Sequence, residues 1–162
     1  MKVIIKNTSR HPDNAVRWLV KYAAKYVRGE AVRCGWVEKL DRCPLQVAVT
    51  NTYASYRGRS LGVRYFDRHG KRPTDQDCAD LFRRRCFLVR VGGPQHFPMN
   101  SSYARYKGMP DATLNDWQEA VVGLTAHEIT HTHHDYSSGD RKGDETACEW
   151  TEIDCVAQFR KD

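Results

Sequence analysis

Residues 115–131 read NDWQEAVVGLTAHEITH, and this stretch decides the fold. Asn115 is a residue type that caps helices, and Gln118 stands three positions on, where a capping box places its partner. Trp117, Ala120, Val121, Val122, Leu124 and Ala126 follow as an apolar body. The pattern predicts a helix from Asp116 to about His133. On that helix His127 and His131 are four residues apart, so their imidazoles leave one face one turn from each other. The separation lets both reach one zinc ion at about 2.0–2.1 Å. Glu128, beside the first imidazole, is placed as a general base for the water that attacks a carbonyl. Zinc adds Lewis acidity and lowers the pKa of a water it holds towards about 7. The plain alternative is two surface histidines on an ordinary helix. The packed apolar run ahead of the motif favours the metal, because a metal site needs rigid support.

A catalytic zinc takes three protein ligands and keeps one position open, so a further ligand is needed beyond His131. Glu145, Glu149 and Glu152 lie on a last helix that Asp144 can cap and that runs to about Phe159; His133, His134, Asp135 and Asp140 lie nearer. Glu145 and Glu149 repeat the four-residue spacing, so one can bind the metal while the other supports a ligating imidazole by accepting its second N–H. The polar turn at 137–143, with two glycines, lets this helix fold back towards His127. His133 and His134 read as solvent-exposed residues at a helix end, where imidazolium suits the helix dipole. Tyr136, His96, Tyr103 and Tyr106 are the candidates for polarising a substrate carbonyl or stabilising an oxyanion.

Outward from this core, residues 3–6 predict a short strand. Pro12 opens an amphipathic helix to about Arg28, with Val16, Leu19, Val20, Ala23 and Val27 along one side and Gly29 as its stop. Trp18, Tyr22 and Tyr26 are expected to cover the sheet. Between 31 and 66 the pattern turns to short β-like runs, clearest at 45–50 and 61–66, with 53–60 as their connection. Residues 67–77 read as loop and 78–84 as a helical turn. Cys86–Val91 forms a compact apolar strand ended by Gly92, Gly93 and Pro94. It is read either as an interior strand or as an edge that pairs with an extended substrate. Residues 95–113 form a long surface loop.

The 162 residues suit one domain, 1–162, with no internal repeat. No apolar run approaches the roughly 18 residues of a membrane span, and the start of the chain is too short in apolar residues for a signal-peptide core. The expected location is therefore intracellular. Six cysteines, at 34, 43, 78, 86, 148 and 155, contain no Cys-x-x-Cys, which excludes a zinc ribbon and a thioredoxin-type motif. They are expected to be reduced, with Cys148 and Cys155 sharing a helix face as small apolar residues. The net charge of +6 is spread along the chain, with one dense run at Arg83, Arg84 and Arg85. It admits nucleic acid or an acidic protein surface as partner without specifying either.

The sequence at Ala126–His131, followed by DETACE at 144–149, resembles the gluzincin pattern of His-Glu-x-x-His plus a downstream Glu motif with a second acid. It is similar to minimal bacterial, archaeal and phage metallopeptidases, including SprT-like and minigluzincin proteins. The likeness covers about residues 114–160. It implies Glu145 as third ligand, Glu149 as the supporting acid and Glu128 as base, with one Zn2+ per chain and a peptide or protein as substrate. It also implies an α+β, zincin-like fold in which a small mixed sheet packs against an N-terminal helix and two C-terminal active-site helices. Two departures stand out. Glu149 occupies a position where Asp is usual, and the interval from His131 to Glu145 is short, which keeps Glu149 as the alternative ligand. Neither the third histidine of metzincins nor the zinc ribbon of SprT-like proteins is present. The competing function is a zinc-binding domain with weak or no catalysis that serves a protein or nucleic-acid partner.

Overall fold

The computed structural model describes residues 1–41, 44–51, 86–100, 113–133 and 141–162. The expectations for 53–60, 61–66, 67–77 and 78–84, for the run at 83–85, and for Tyr103, Tyr106, His134, Asp135, Tyr136 and Asp140 fall outside the described residues.

The chain begins with β1 (Val3–Asn7) and crosses over through α1 (Asp13–Arg33) and the short α2 (Val37–Asp41) to β2 (Leu45–Asn51). β2 lies parallel to β1, with Ile5 opposite Val47. Parallel pairing of successive strands needs a long crossover, and a helix supplies it. β3 (Cys86–Val91) adds on the other side of β2, again parallel, with Val47 opposite Phe87. Among the described residues this gives a three-stranded sheet in the order β1-β2-β3. Among the described residues, antiparallel pairing is confined to a separate pair, β4 (Met99–Asn100) with β5 (Thr113–Leu114). Two helices complete the fold, α3 (Trp117–Thr130) and α4 (Arg141–Phe159). The class is α+β, with a small parallel sheet, an N-terminal helix and two C-terminal helices.

The apolar stripe of α1 is longer than its N-terminal part suggests. Val16, Leu19, Val20, Ala23, Ala24, Val27 and Ala31 are all buried, and the helix passes through Gly29 to end at Arg33. A helical glycine costs roughly 1 kcal/mol against alanine. Burying Val27 and Ala31 on either side outweighs that, since a Val-sized side chain gains about 1.5–3 kcal/mol on burial. The turn falls at Gly35 instead, whose φ of 79° is the left-handed conformation glycine adopts without strain. The N–H groups of Cys34, Gly35 and Trp36 close the helix end onto the carbonyls of Glu30, Val32 and Ala31. Residues 37–41, expected in a β-like region, form a helical turn that buries Leu40.

β2 is the central strand. Leu45, Val47, Ala48 and Val49 are buried, as a strand covered on both faces requires. α3 is more deeply enclosed still. Every residue from Glu119 to Thr130 is buried, because α1, α4 and β3 all pack against it. Tyr22 and Tyr26 pack against the core, whereas Trp18 does not cover the sheet. Trp18 is 58% exposed, and it meets Tyr22 and Phe159 at the far end of α4, where the Tyr22 hydroxyl donates to Asp162 at 2.7 Å. Residues 95–113 are not loop throughout, since β4 lies within that span and β5 begins at its last residue. No helix among the described residues is long and apolar enough to cross a membrane.

Candidate metal centre

α3 and α4 form an antiparallel pair clamped at one end and carrying the site at the other. At the clamp, the helix cap is Asp116, one residue later than the sequence pattern places it. Its carboxylate accepts from the N–H groups of Gln118 and Glu119 at 2.8 and 2.9 Å. Glu119 takes the reciprocal role expected of Gln118, accepting from the Asn115 N–H at 2.7 Å and the Asn115 amide at 3.2 Å. Arg160, just past α4, then donates to both Glu119 oxygens at 2.9 and 2.7 Å. Burial pushes the Glu119 carboxyl up, but Arg160 and the two Asn115 donors outweigh it and hold the group below the usual carboxylate range.

Close approach of the two helices is allowed by Gly123. A Cβ built there would lie 3.0 Å from both Glu152 Cγ and Val156 Cγ2. One turn beyond, His127 emerges, and four residues later His131. The rings stand edge to face, 5.0 Å between centroids at 71°. α3 ends at Thr130, and Thr132 and His133 close the turn by donating their N–H groups to Ile129 and Thr130. The helix therefore stops short of the expected His133. That residue is half-buried, with its ring 4.9 Å from Trp36 and its carbonyl accepting from Lys39 Nζ at 3.1 Å.

Three side chains of α4 meet the histidine pair. The Glu145 carboxylate spans both: Oε2 lies 3.4 Å from His127 Nε2 and Oε1 lies 3.8 Å from His131 Nε2. The opposite ring nitrogens are taken by other groups. Glu152 Oε2 lies 3.2 Å from His127 Nδ1, and Cys148 Sγ lies 3.3 Å from His131 Nδ1. The carboxylate against His127 Nδ1 is thus Glu152, one turn beyond Glu149. Glu149 is itself 3% exposed on the same helix, and Glu128 is 8% exposed beside His127.

Cys148 and Glu152 are the residues whose part the sequence reading missed. Positions 145, 148, 149 and 152 fall at helical spacings of three and four, so one face of α4 carries all of them. Cysteine in an apolar pattern reads as packing, and Cys155, buried in the core with its thiol pushed up by burial, is that case. His96 lies in a 3-10 turn after β3, its ring packed over Gly92 and hydrogen-bonded to Gln95, and none of its contacts reaches His127 or His131.

The acidic side chains beside His127 favour a positive charge on its ring. Burial disfavours a charged His127, but hydrogen bonds to Glu145 and Glu152 and the charges of Glu128 and Glu152 override it, and the ring is raised well above its usual pKa. Glu145 and Glu152 lie against its two nitrogens, and Glu128 adds its charge. One nitrogen from each of His127 and His131 and Cys148 Sγ lie within 4.8 Å of one another, and this buried group can hold a metal ion. The nitrogens, thiol and carboxylate suit a borderline-soft divalent ion of the zinc kind and do not suit Mg2+ or Ca2+, which take all-oxygen shells. No protein family, curated protein or solved structure matches the chain.

Proposed function

We propose that the protein is a zinc-dependent peptidase of the compact gluzincin type. The observation that carries this reading is the Glu145 carboxylate lying against the Nε2 atoms of both His127 and His131, with Glu128 buried beside them. His127, His131 and Glu145 would hold the ion. Zinc in such a place supplies Lewis acidity towards a peptide carbonyl and towards the attacking water.

The remaining work belongs to the chain's own groups. Glu128 accepts the proton of the water as it adds to the carbonyl, and returns it to the amine that leaves. Glu152, 3.2 Å from His127 Nδ1, would accept that N–H, fix the ring's tautomer and aim Nε2 at Glu145. The Glu145 side chain is 29% exposed, and an extended peptide would reach the ion from this side. Peptide or protein substrate follows from this chemistry. The +6 charge alone speaks for nucleic acid.

The test is metal content by mass spectrometry on wild type and Glu145→Ala, alongside proteolysis of an unfolded protein. About one zinc per chain, lost in Glu145→Ala, with proteolysis that chelator abolishes, is the expected result. A protein that takes up no zinc on reconstitution ends the reading.

One observation favours a second reading, a metal-binding domain without catalysis. Cys148 adds a further donor to the histidine pair. Structural zinc sites are commonly closed by four protein ligands that include cysteine. Zinc binding without Glu128-dependent proteolysis would decide for it.

A further inference from the structure

We propose that Cys148 is itself a metal ligand, so that His127 and His131 serve two donor sets, one completed by Glu145 and one by Cys148. The inference rests on the metal-site reading above and goes beyond it, since it assigns the thiol a place on the ion and not only in the packing.

The geometry argues for it in three steps. Cys148 Sγ and His131 Nδ1 are 3.3 Å apart. Two ligands on one tetrahedral zinc, with bonds of about 2.3 Å to sulfur and 2.0–2.1 Å to nitrogen, are separated by about 3.6 Å. The pair is therefore spaced as co-ligands within a few tenths of an ångström. Second, the sulfur and one nitrogen of each imidazole all fall within 4.8 Å, so a single ion serves the three with only small side-chain movement. Third, the two sets differ in setting. Cys148 is fully buried, while the Glu145 side chain is 29% exposed.

His131 is the pivot, because Glu145 faces its Nε2 and Cys148 its Nδ1. The softness of the ion then selects the set. A thiolate favours soft and borderline ions such as Cd2+, Co2+ and Zn2+, and a carboxylate favours harder ones such as Mn2+. On binding, the thiol loses its proton to solvent and the sulfur–metal bond forms, with no change of oxidation state. The same bond has a functional consequence. An ion held by Cys148 on the Nδ1 side of His131 leaves the Nε2 side, where Glu145 lies, without it.

The experiment is cobalt substitution of the full chain, read by metal content and by absorption. Wild-type protein with one Co2+ per chain is expected to show the near-ultraviolet charge-transfer band of a sulfur–cobalt bond. Cys148→Ser is expected to lose the band while retaining cobalt through Glu145, and Glu145→Gln to keep it. Cys155→Ser, which removes the other buried thiol of α4, is expected to keep it as well. Where a buried serine hydroxyl unfolds the protein, Cys148→Ala takes its place. Cobalt bound without a sulfur band, or a band that survives both Cys148 variants, overturns the proposal. Glu128-dependent proteolysis without the band leaves the peptidase reading standing and removes this one. A band without proteolysis does the reverse.

Discussion

The two ends of the α3–α4 pair are built from the same kinds of residue and differ in how their charge is settled. At the clamp end, Glu119 is 6% exposed and its carboxylate receives two bonds from Arg160 and two from Asn115. Every acceptor has a donor of the protein's own. At the site end, Glu145 and Glu152 lie against opposite nitrogens of His127, and Glu128 adds its charge. A buried charge persists where it is paired or binds a metal. The first end holds the helices together, and the second brings together a buried group of His127, His131 and Cys148 that can hold a metal ion.

The largest effect should come from the one carboxylate assigned to chemistry. Glu128→Gln keeps the shape and removes the base, so proteolysis is expected to fall about 10²–10⁴-fold with zinc content unchanged. Loss of zinc together with activity would mean that Glu128 belongs to the charge balance of the site and not to the reaction.

Next in size is Glu152→Gln. Its carboxylate lies 3.2 Å from His127 Nδ1, and removal of such a partner is expected to weaken metal affinity about 10–100-fold. Gly123→Ala makes the same point without touching a charge, because its methyl would meet Glu152 Cγ at 3.0 Å. Metal titration with a competing chelator reads both. Unchanged affinity in the two variants would give the supporting role to another group, with Glu149 first in line.

This part of the site shows where sequence reasoning stops. The i, i+4 histidines and the returning acidic helix are local patterns, and they are visible because helical geometry alone fixes which positions share a face. Whether Glu149 or Glu152 faces His127 depends on the rotation of α4 against α3, which Gly123 and Val156 set across the interface. Cys148 is hidden for a different reason. A buried cysteine is among the commonest core residues, and only its partner at 3.3 Å separates it from Cys155. The same limit operates on α1, where the stop at Gly29 was a sound local inference that the burial of Val27 and Ala31 overrides. At α3 the capping chemistry is read correctly and displaced by one residue, from Asn115 to Asp116, because both are good caps and tertiary contact with Arg160 selects Glu119 as the partner.

The clamp end predicts a loss of stability with the site's chemistry spared. Arg160→Leu leaves the Glu119 carboxylate buried with two of its donors gone. Arg160 is itself 42% exposed, and solvent screening reduces the value of the pair, so the expected cost is about 1–2 kcal/mol. For a chain of this length that corresponds to roughly 2–8 °C in Tm. Thermal unfolding measured with and without zinc separates the two ends. An equal loss in both states locates the effect at the clamp, whereas a loss that zinc abolishes would show the ends to be coupled.

The smallest effect is the pH dependence of that clamp. Glu119 is held below its usual range in the folded state, so the unfolded chain, titrating near 4.3, binds a proton first as the solution is acidified. The stabilisation is therefore complete above about pH 4.3 and is lost as pH falls through the lower folded value. Glu119→Gln cannot titrate and lacks this contribution. The expected result is a wild-type advantage, below about 1 kcal/mol, that is constant from neutral pH down to the carboxylate range and vanishes beneath it. Urea unfolding of the metal-free proteins across that range measures the difference directly. An advantage that persists to low pH would show that Glu119 acts through shape and hydrogen bonding rather than through its charge, and the contrast between a charge-paired end and a metal-holding end would then lose one of its two terms.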